Sequence, residues 1–292
     1  MTPLSQRTDA GTARVRVLSP PLRPWRPVVA LVLIATVSLR GAPGPNLVPN
    51  GDFEKGRNGA PARWTAPDNL TSFWEKSNHD GKCIRMDTDV YRSEWQKNRD
   101  EPGSVKTKTK TRGKKYNTVA GSVGVAVYSH PITVKEDAWY LVEYDIQGRA
   151  GEPFVYLKGY VKADEEIVKR SGTKIFFRPE PDGPAFSLVA KGGVGEEKRP
   201  PKPGDYIQRF RRRFVTRFPK AGKGGWNRCR GVVHLKKRFH LDVVLLELYA
   251  FWPPGEYRFD NVSMRRLSDD EAEAFQAGIR SGEIPSVVPL DD

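Results

Sequence analysis

The sequence predicts an all-β protein, an antiparallel β-sandwich followed by a short C-terminal helix. Three observations lead there. From residue 120 onward, short segments alternate apolar and polar residues with period two. The 27 Gly and 24 Pro are spread along the 292 residues, which favours many short elements joined by turns. No helical pattern of ten or more residues interrupts the strand-like segments, so an antiparallel sandwich is the natural architecture.

Residues 1–42 come first and stand apart. They carry six Arg and one Asp, which is +5 of the chain's +14 and leaves residues 43–292 at +9. "VVALVLIATVSL" (28–39) is uncharged and follows five Arg. Twelve residues fall short of the roughly 20 that a spanning helix needs. They match the h-region of a secretory signal behind a basic n-region. Residues 1–42 are therefore expected to be a targeting segment of an exported protein, with a retained membrane anchor as the alternative. Residues 43–267 follow as one sandwich domain, and 268–292 as a short helix and a loose tail.

In "NLVPNGDFEKGRNGAPARW" (46–64), Asn, Gly and Pro are interleaved with Leu47, Val48, Phe53 and Trp64. The stretch reads as an entry strand, with Phe53 and Trp64, like Phe259 later, in the core. Residues 92–118 are polar, and "VKTKTKTRGKK" (105–115) holds six basic residues and no acid. This segment and 190–204 read as long insertions between strands. In "GSVGVAVYS", Val123, Val125 and Val127 share one side. In "AWYLVEYDIQG", Tyr140, Val142, Tyr144 and Ile146 oppose Glu143, Asp145 and Gln147. In "PFVYLKGYVKA", Val155, Leu157 and Val161 oppose Tyr156, Lys158, Tyr160 and Lys162. In "QRFRRRFVTRF", Arg209, Arg211 and Arg213 fall on one side of a strand. "RGVVHLKKRF", "DVVLLELYAFW" and "GEYRFDNVSMRRL" complete the strands. Then "SDDEAEAFQAGIRSG" reads as the helix, with Ser268 as N-cap, acids in the first turn and Gly282 as the stop.

Four motifs occur in a telling order: "NLVPNGDFEKG" with "PARW" (61–64), "HDGKCIRMD" (79–87), "HPITVKEDAWYLVEYDI" (130–146) and "YRFDNVSM" (257–264). Over about residues 46–267 the chain resembles carbohydrate-binding modules of the family 4, 9 and 22 type, and more broadly the galactose-binding-like jelly rolls. The resemblance implies a non-catalytic binding sandwich. It also implies a structural Ca²⁺ held by Glu54, the Lys82 carbonyl and Asp260, with Asp52 as a further candidate. Carboxylates and carbonyls are the hard oxygen donors this ion takes. Pairing of Glu54 and Asp260 with Lys or Arg is the alternative. The insertions at 92–118 and 190–204 depart from the compact modules, and no glycoside hydrolase accompanies the module in this chain.

Sugar binding needs flat exposed aromatics beside polar side chains. Trp74, Tyr91, Trp95 and Trp226 lie in polar, loop-like surroundings and are the platform candidates; satellite-core packing under a loop is the other reading. Arg209, Arg211 and Arg213, with Lys106, Lys108, Lys110 and Arg112, suit an anionic surface for an acidic or sulfated polysaccharide. Aromatics interleaved with Arg also suit nucleic acid, but the export signal argues against it. The rival function is a structural or adaptor module of the same fold with a protein partner. Catalysis has no support: His79, His130, His234 and His240 show no zinc-helix spacing, and no Gly-x-Ser-x-Gly elbow or phosphate loop occurs. Cys83 and Cys229 read either as one disulfide or as two buried thiols.

Overall fold

A computed structural model describes residues 44–105, 115–148, 153–171, 176–179, 186–189, 201–215 and 225–290. In chain order the elements are β1 (Gly56–Arg57), β2 (Ala60–Pro61), β3 (Ser72–Lys76), β4 (Lys82–Asp87), α1 (Arg92–Asp100), β5 (Val125–Tyr128), β6 (Ile132–Thr133), β7 (Ala138–Gly148), β8 (Phe154–Lys162), α2 (Glu165–Ser171), β9 (Phe176–Pro179), β10 (Phe186–Val189), β11 (Tyr206–Val215), β12 (Trp226–Leu235), β13 (Val243–Ala250), β14 (Glu256–Leu267), α3 (Asp269–Ser281) and β15 (Val287–Pro289). The expected targeting segment, with its apolar run, and Lys106, Lys108, Lys110 and Arg112 lie outside the described residues.

Two antiparallel sheets carry the fold. One has the order β15-β12-β7-β14-β4-β3, the other β10-β9-β11-β8-β13-β5, with β6 also on β13. Alternation sends Tyr140, Val142, Tyr144 and Ile146 of β7 inward, with Phe259 and Met264 of β14 beside them. They meet Val155 and Leu157 of β8 and Leu246 and Leu248 of β13 in one buried cluster. This is the expected sandwich core, and Phe53, Trp64 and Phe259 belong to it. α3 begins as expected: Ser268 and Glu271 form a reciprocal capping box, and Gly282 ends the helix with φ 82°. Among the described residues, no helix is long and apolar enough to cross a membrane.

Three expectations need correction. Residues 46–54 are not a strand. They form a string of turns clipped to β14, where Leu47 N–H donates to Met264 O (2.8 Å) and Val262 N–H to Gly51 O (2.8 Å). Gly51 is required there, because a Cβ would collide with the Val262 carbonyl. The polar stretch after Tyr91 contains α1, too short and too polar for periodicity to reveal it. The tail is ordered in part, since β15 pairs with β12. Of the two readings of Cys83 and Cys229, the buried thiols hold: both are buried and no bridge joins them. They sit on β4 and β12, with β14 and β7 between them. Three strand spacings amount to about 14 Å, far beyond the roughly 7 Å a disulfide spans.

Candidate functional site

The outer face of the second sheet is unusually aromatic. On β8, the residues opposite Val155 and Leu157 are Phe154, Tyr156, Lys158 and Tyr160. Register across β11, β8, β13 and β5 lines up Arg213, Tyr156, Glu247 and Tyr128 in one row. Phe154 and Tyr249 pair in the next row, their rings stacked 5.8 Å apart and 10° from parallel. Tyr156 meets Tyr249 edge-on at 5.9 Å, and Phe251 stacks on Tyr249 at 6.2 Å. Arg213 lies 4.8 Å over the Phe154 ring and Arg211 5.5 Å over that of Tyr156.

Under these rings sits a charged pair. Lys158 Nζ is 2.6 Å from Glu247 Oε2, and both side chains are nearly buried. Tyr128 donates its hydroxyl to Glu247 Oε1 at 2.7 Å. Burial, then the Glu247 charge, pushes the Tyr128 hydroxyl far above its ordinary range, so it stays a neutral donor. The contact with Lys158 is an ion pair without directed hydrogen-bond geometry at Oε2, and the buried Tyr160 hydroxyl has no hydrogen-bond partner.

The aromatic strip continues. Trp252 follows Phe251 in the chain and stacks on Tyr116 at 5.3 Å and 15°. Tyr116 is 79% exposed. It lines an open groove with Tyr91, Arg92, Ser93, Gln96 and Asn117. The rings of this strip pack on one another at 5.3 to 6.2 Å, with guanidinium, amide and hydroxyl groups beside them.

Only part of the expected platform lies here. Tyr91 does, in the Tyr116 groove. Trp226 is corrected: it is 1% exposed, its indole N–H donates to Asn78 Oδ1 (3.1 Å) and His79 stacks on it, so it offers no face to a ligand. Trp74 is half-buried. Its N–H donates to Phe53 O (2.8 Å), Lys82 Nζ covers one face at 3.4 Å, and Gly56 closely abuts its ring. Trp95 packs against the core from α1, with Arg99 5.2 Å over its ring. These three are the packed aromatics of the alternative reading.

Of the three predicted arginines, Arg211 and Arg213 share the outer face. Arg209, also exposed, is the extra residue of a β-bulge between Gln208 and Phe210. Strict period two misses this. The rings the sequence passed over left a trace in it: Tyr156, Lys158 and Tyr160 share one side of β8, and aromatics opposite a buried row are the mark of a two-sided sheet. Tyr116, at the end of the basic stretch, carries no such signal.

A second cluster joins the opening turns to β14. The bulge at Asp260 rests on Asn261 with φ 48°, a left-handed position that Asn tolerates. It keeps both Phe259 and Val262 inward. Asp145, expected on the solvent side of β7, is fully buried. Arg228 clamps it with two 2.8 Å bonds, and Asn261 Nδ2 adds a third at 2.9 Å. Its cross-strand neighbour Asp260 is 1% exposed. Burial first, then the charges of Asp145, Glu54 and Asp80, push the Asp260 carboxyl up from 3.8 to about 8. None of the groups acting on it is basic.

Glu54 accepts the Lys82 N–H at 2.5 Å and fills the place of a Cβ at Gly81. The buried carboxyl of Asp260 feels the charge of Glu54, and carboxylate oxygens are the donors a hard cation such as Ca²⁺ takes. Asp52 is exposed and is not among the acids acting on Asp260, so it is not drawn into this cluster. No group of three or more His, Cys, Asp or Glu among the described residues has the spacing of a metal cage, so backbone oxygens would complete the shell.

No protein-family model and no curated protein matches the chain. Among solved structures, it is similar to a family 16 carbohydrate-binding module: 12% identity, 75% of this chain, 99% of that one, TM-score 0.35. A CBM22-1 xylan-binding domain from Paenibacillus barcinonensis shows 10% identity over 78% of this chain and 98% of its own, TM-score 0.33. A CBM61 module solved with β-1,4-galactotriose shows 11% identity over 76% and 99%, TM-score 0.29. Likenesses this distant assign no ligand to this chain.

Proposed function

We propose that this chain is an exported, non-catalytic carbohydrate-binding protein that lays a glycan along the aromatic strip. The observation that carries the reading is the half-buried set Tyr156, Tyr249 and Phe251 on the outer face, packed with the buried Phe154 and flanked by the exposed Arg211 and Arg213. The guanidiniums favour carboxylated or sulfated sugars, so the preferred ligand is an acidic polysaccharide. Ca²⁺ at Glu54 and Asp260, with the Lys82 carbonyl, fastens the opening turns to β14 and acts on stability.

A glycan array and affinity electrophoresis test this with wild type, Tyr156→Ala and Tyr249→Ala. Wild type is expected to be retained by acidic glycans, and each variant to bind at least tenfold more weakly, about 1.4 kcal/mol, with unchanged circular dichroism. If wild type is retained by no neutral or acidic glycan, the reading fails.

A further inference from the structure

At the edge of the sandwich, β11 of one sheet faces β12 of the other, and α3 packs against β12. A groove of about 340 Å³ lies there. Arg212, Arg213, Arg230 and Arg280 line it together with Gln276, and none of its described lining residues is acidic. Phe214 lies in its wall, packed against Gly231, where a Cβ would strike the ring. Arg212 and Arg280 are exposed and have no carboxylate partner among the described residues. Arg230 is held from behind: its Nε is 3.5 Å from Glu143 Oε1, yet that buried nitrogen makes no hydrogen bond.

Arg212 and Arg280 bring two exposed cations without a described carboxylate partner to a groove that Arg230 also lines, and arginine does not relieve this uncompensated charge by losing its proton. An anion relieves it. Planar N–H forks from three elements suit an oxoanion that presents oxygens in several directions. The groove is separate from the aromatic strip except at Arg213, which lines the groove and also lies over Phe154.

We propose that this groove binds a tetrahedral oxoanion, a sulfate or phosphate group, through Arg212, Arg230 and Arg280. The groove has room for more than the bare ion, and the Phe214 and Ile279 side chains give it apolar wall. The group can therefore arrive free or as an ester on a sugar.

Calorimetric titration of the full chain with inorganic sulfate, inorganic phosphate, glucose 6-sulfate and glucose 6-phosphate, at constant ionic strength in chloride, tests it. Wild type is expected to bind at least one of the four. Arg212→Ala/Arg280→Ala should bind at least tenfold more weakly. Both side chains are exposed, so the variant keeps its fold, as circular dichroism will show. Arg170→Ala, on exposed α2, removes a charge elsewhere and should bind like wild type. Esters at least tenfold tighter than the ions identify a sugar-borne group, and equal affinities identify the free ion; either result upholds the site. No binding of any of the four by wild type, or equal binding by the double variant, overturns it. Tyr156→Ala, which removes a ring of the aromatic strip, should bind the four probes like wild type, so failure of this site and failure of the strip are distinguishable.

Discussion

Asp260→Asn should make the protein more stable at neutral pH when calcium is chelated. In the fold the Asp260 carboxyl ionises near 8 instead of 3.8, because it is buried beside Asp145 with Glu54 and Asp80 nearby. The sign follows from proton counting. Between those two pH values the unfolded chain has released this proton and the folded chain still holds it. Fewer protons bound in the unfolded state mean that stability falls as pH rises. The contribution is full below 3.8 and is lost by about 8. At about 1.4 kcal/mol per pH unit, that interval amounts to roughly 6 kcal/mol. Asparagine carries no such penalty, and its Oδ1 keeps the acceptor role that Asp260 has toward the Asn261 N–H at 2.7 Å. Urea unfolding of wild type and variant from pH 4 to 8 in chelator measures the difference. The gap should open by several kcal/mol as pH rises. In millimolar calcium it should close or reverse, because an ion bound only to the folded state stabilises wild type alone. Parallel stability curves across this range in chelator would refute the electrostatic reasoning. A wild-type midpoint indifferent to calcium would remove the ion.

Two further outcomes follow from buried groups. Lys158→Met should destabilise by about 3–5 kcal/mol, because it leaves Glu247 charged and buried without its partner; Lys158→Met/Glu247→Gln should recover most of that, and a double variant as unstable as the single would contradict the pairing. Cys83 and Cys229 should both react with a thiol reagent only on unfolding, since burial pushes the Cys83 thiol up to about 12; a native chain whose thiol count rises on reduction would contradict their separation on β4 and β12.

Much of the fold was legible because alternation in a strand is a direct consequence of backbone pleat. Tyr140, Val142, Tyr144 and Ile146 had to share a face, and they do. The helix start was equally local, since Ser268 and Glu271 satisfy each other within one turn. Failures occurred where a local rule met a remote cause. The bulge at Arg209 adds one residue to β11, which strict alternation does not foresee. α1 is nine residues long and draws on contacts outside itself, such as Trp95 against the core. Asp145 alternates outward as expected, yet Arg228 from β12 covers it completely.

The binding residues were harder, for a reason that concerns exposure more than chemistry. Polar neighbours in sequence do not make an aromatic exposed, because cover comes from other elements. Trp226 stands among Gly, Asn and Arg and is buried through Asn78 and His79, some 150 positions away. Tyr156 stands in a strand with Val155 and Leu157 and has one face outward, because the sheet has only one partner layer. Strand alternation identifies which aromatics oppose the core, but cover on that side still decides exposure: Tyr160 and Phe154 are buried there, while Tyr156, under Arg211, and Tyr249 are half-buried. A ring under a guanidinium is already held in the orientation that a sugar face needs, so ligand binding at this strip exchanges one stacking partner for another. If the strip binds a glycan as proposed, the arginines set selectivity for acidic sugars more than affinity for sugars as such.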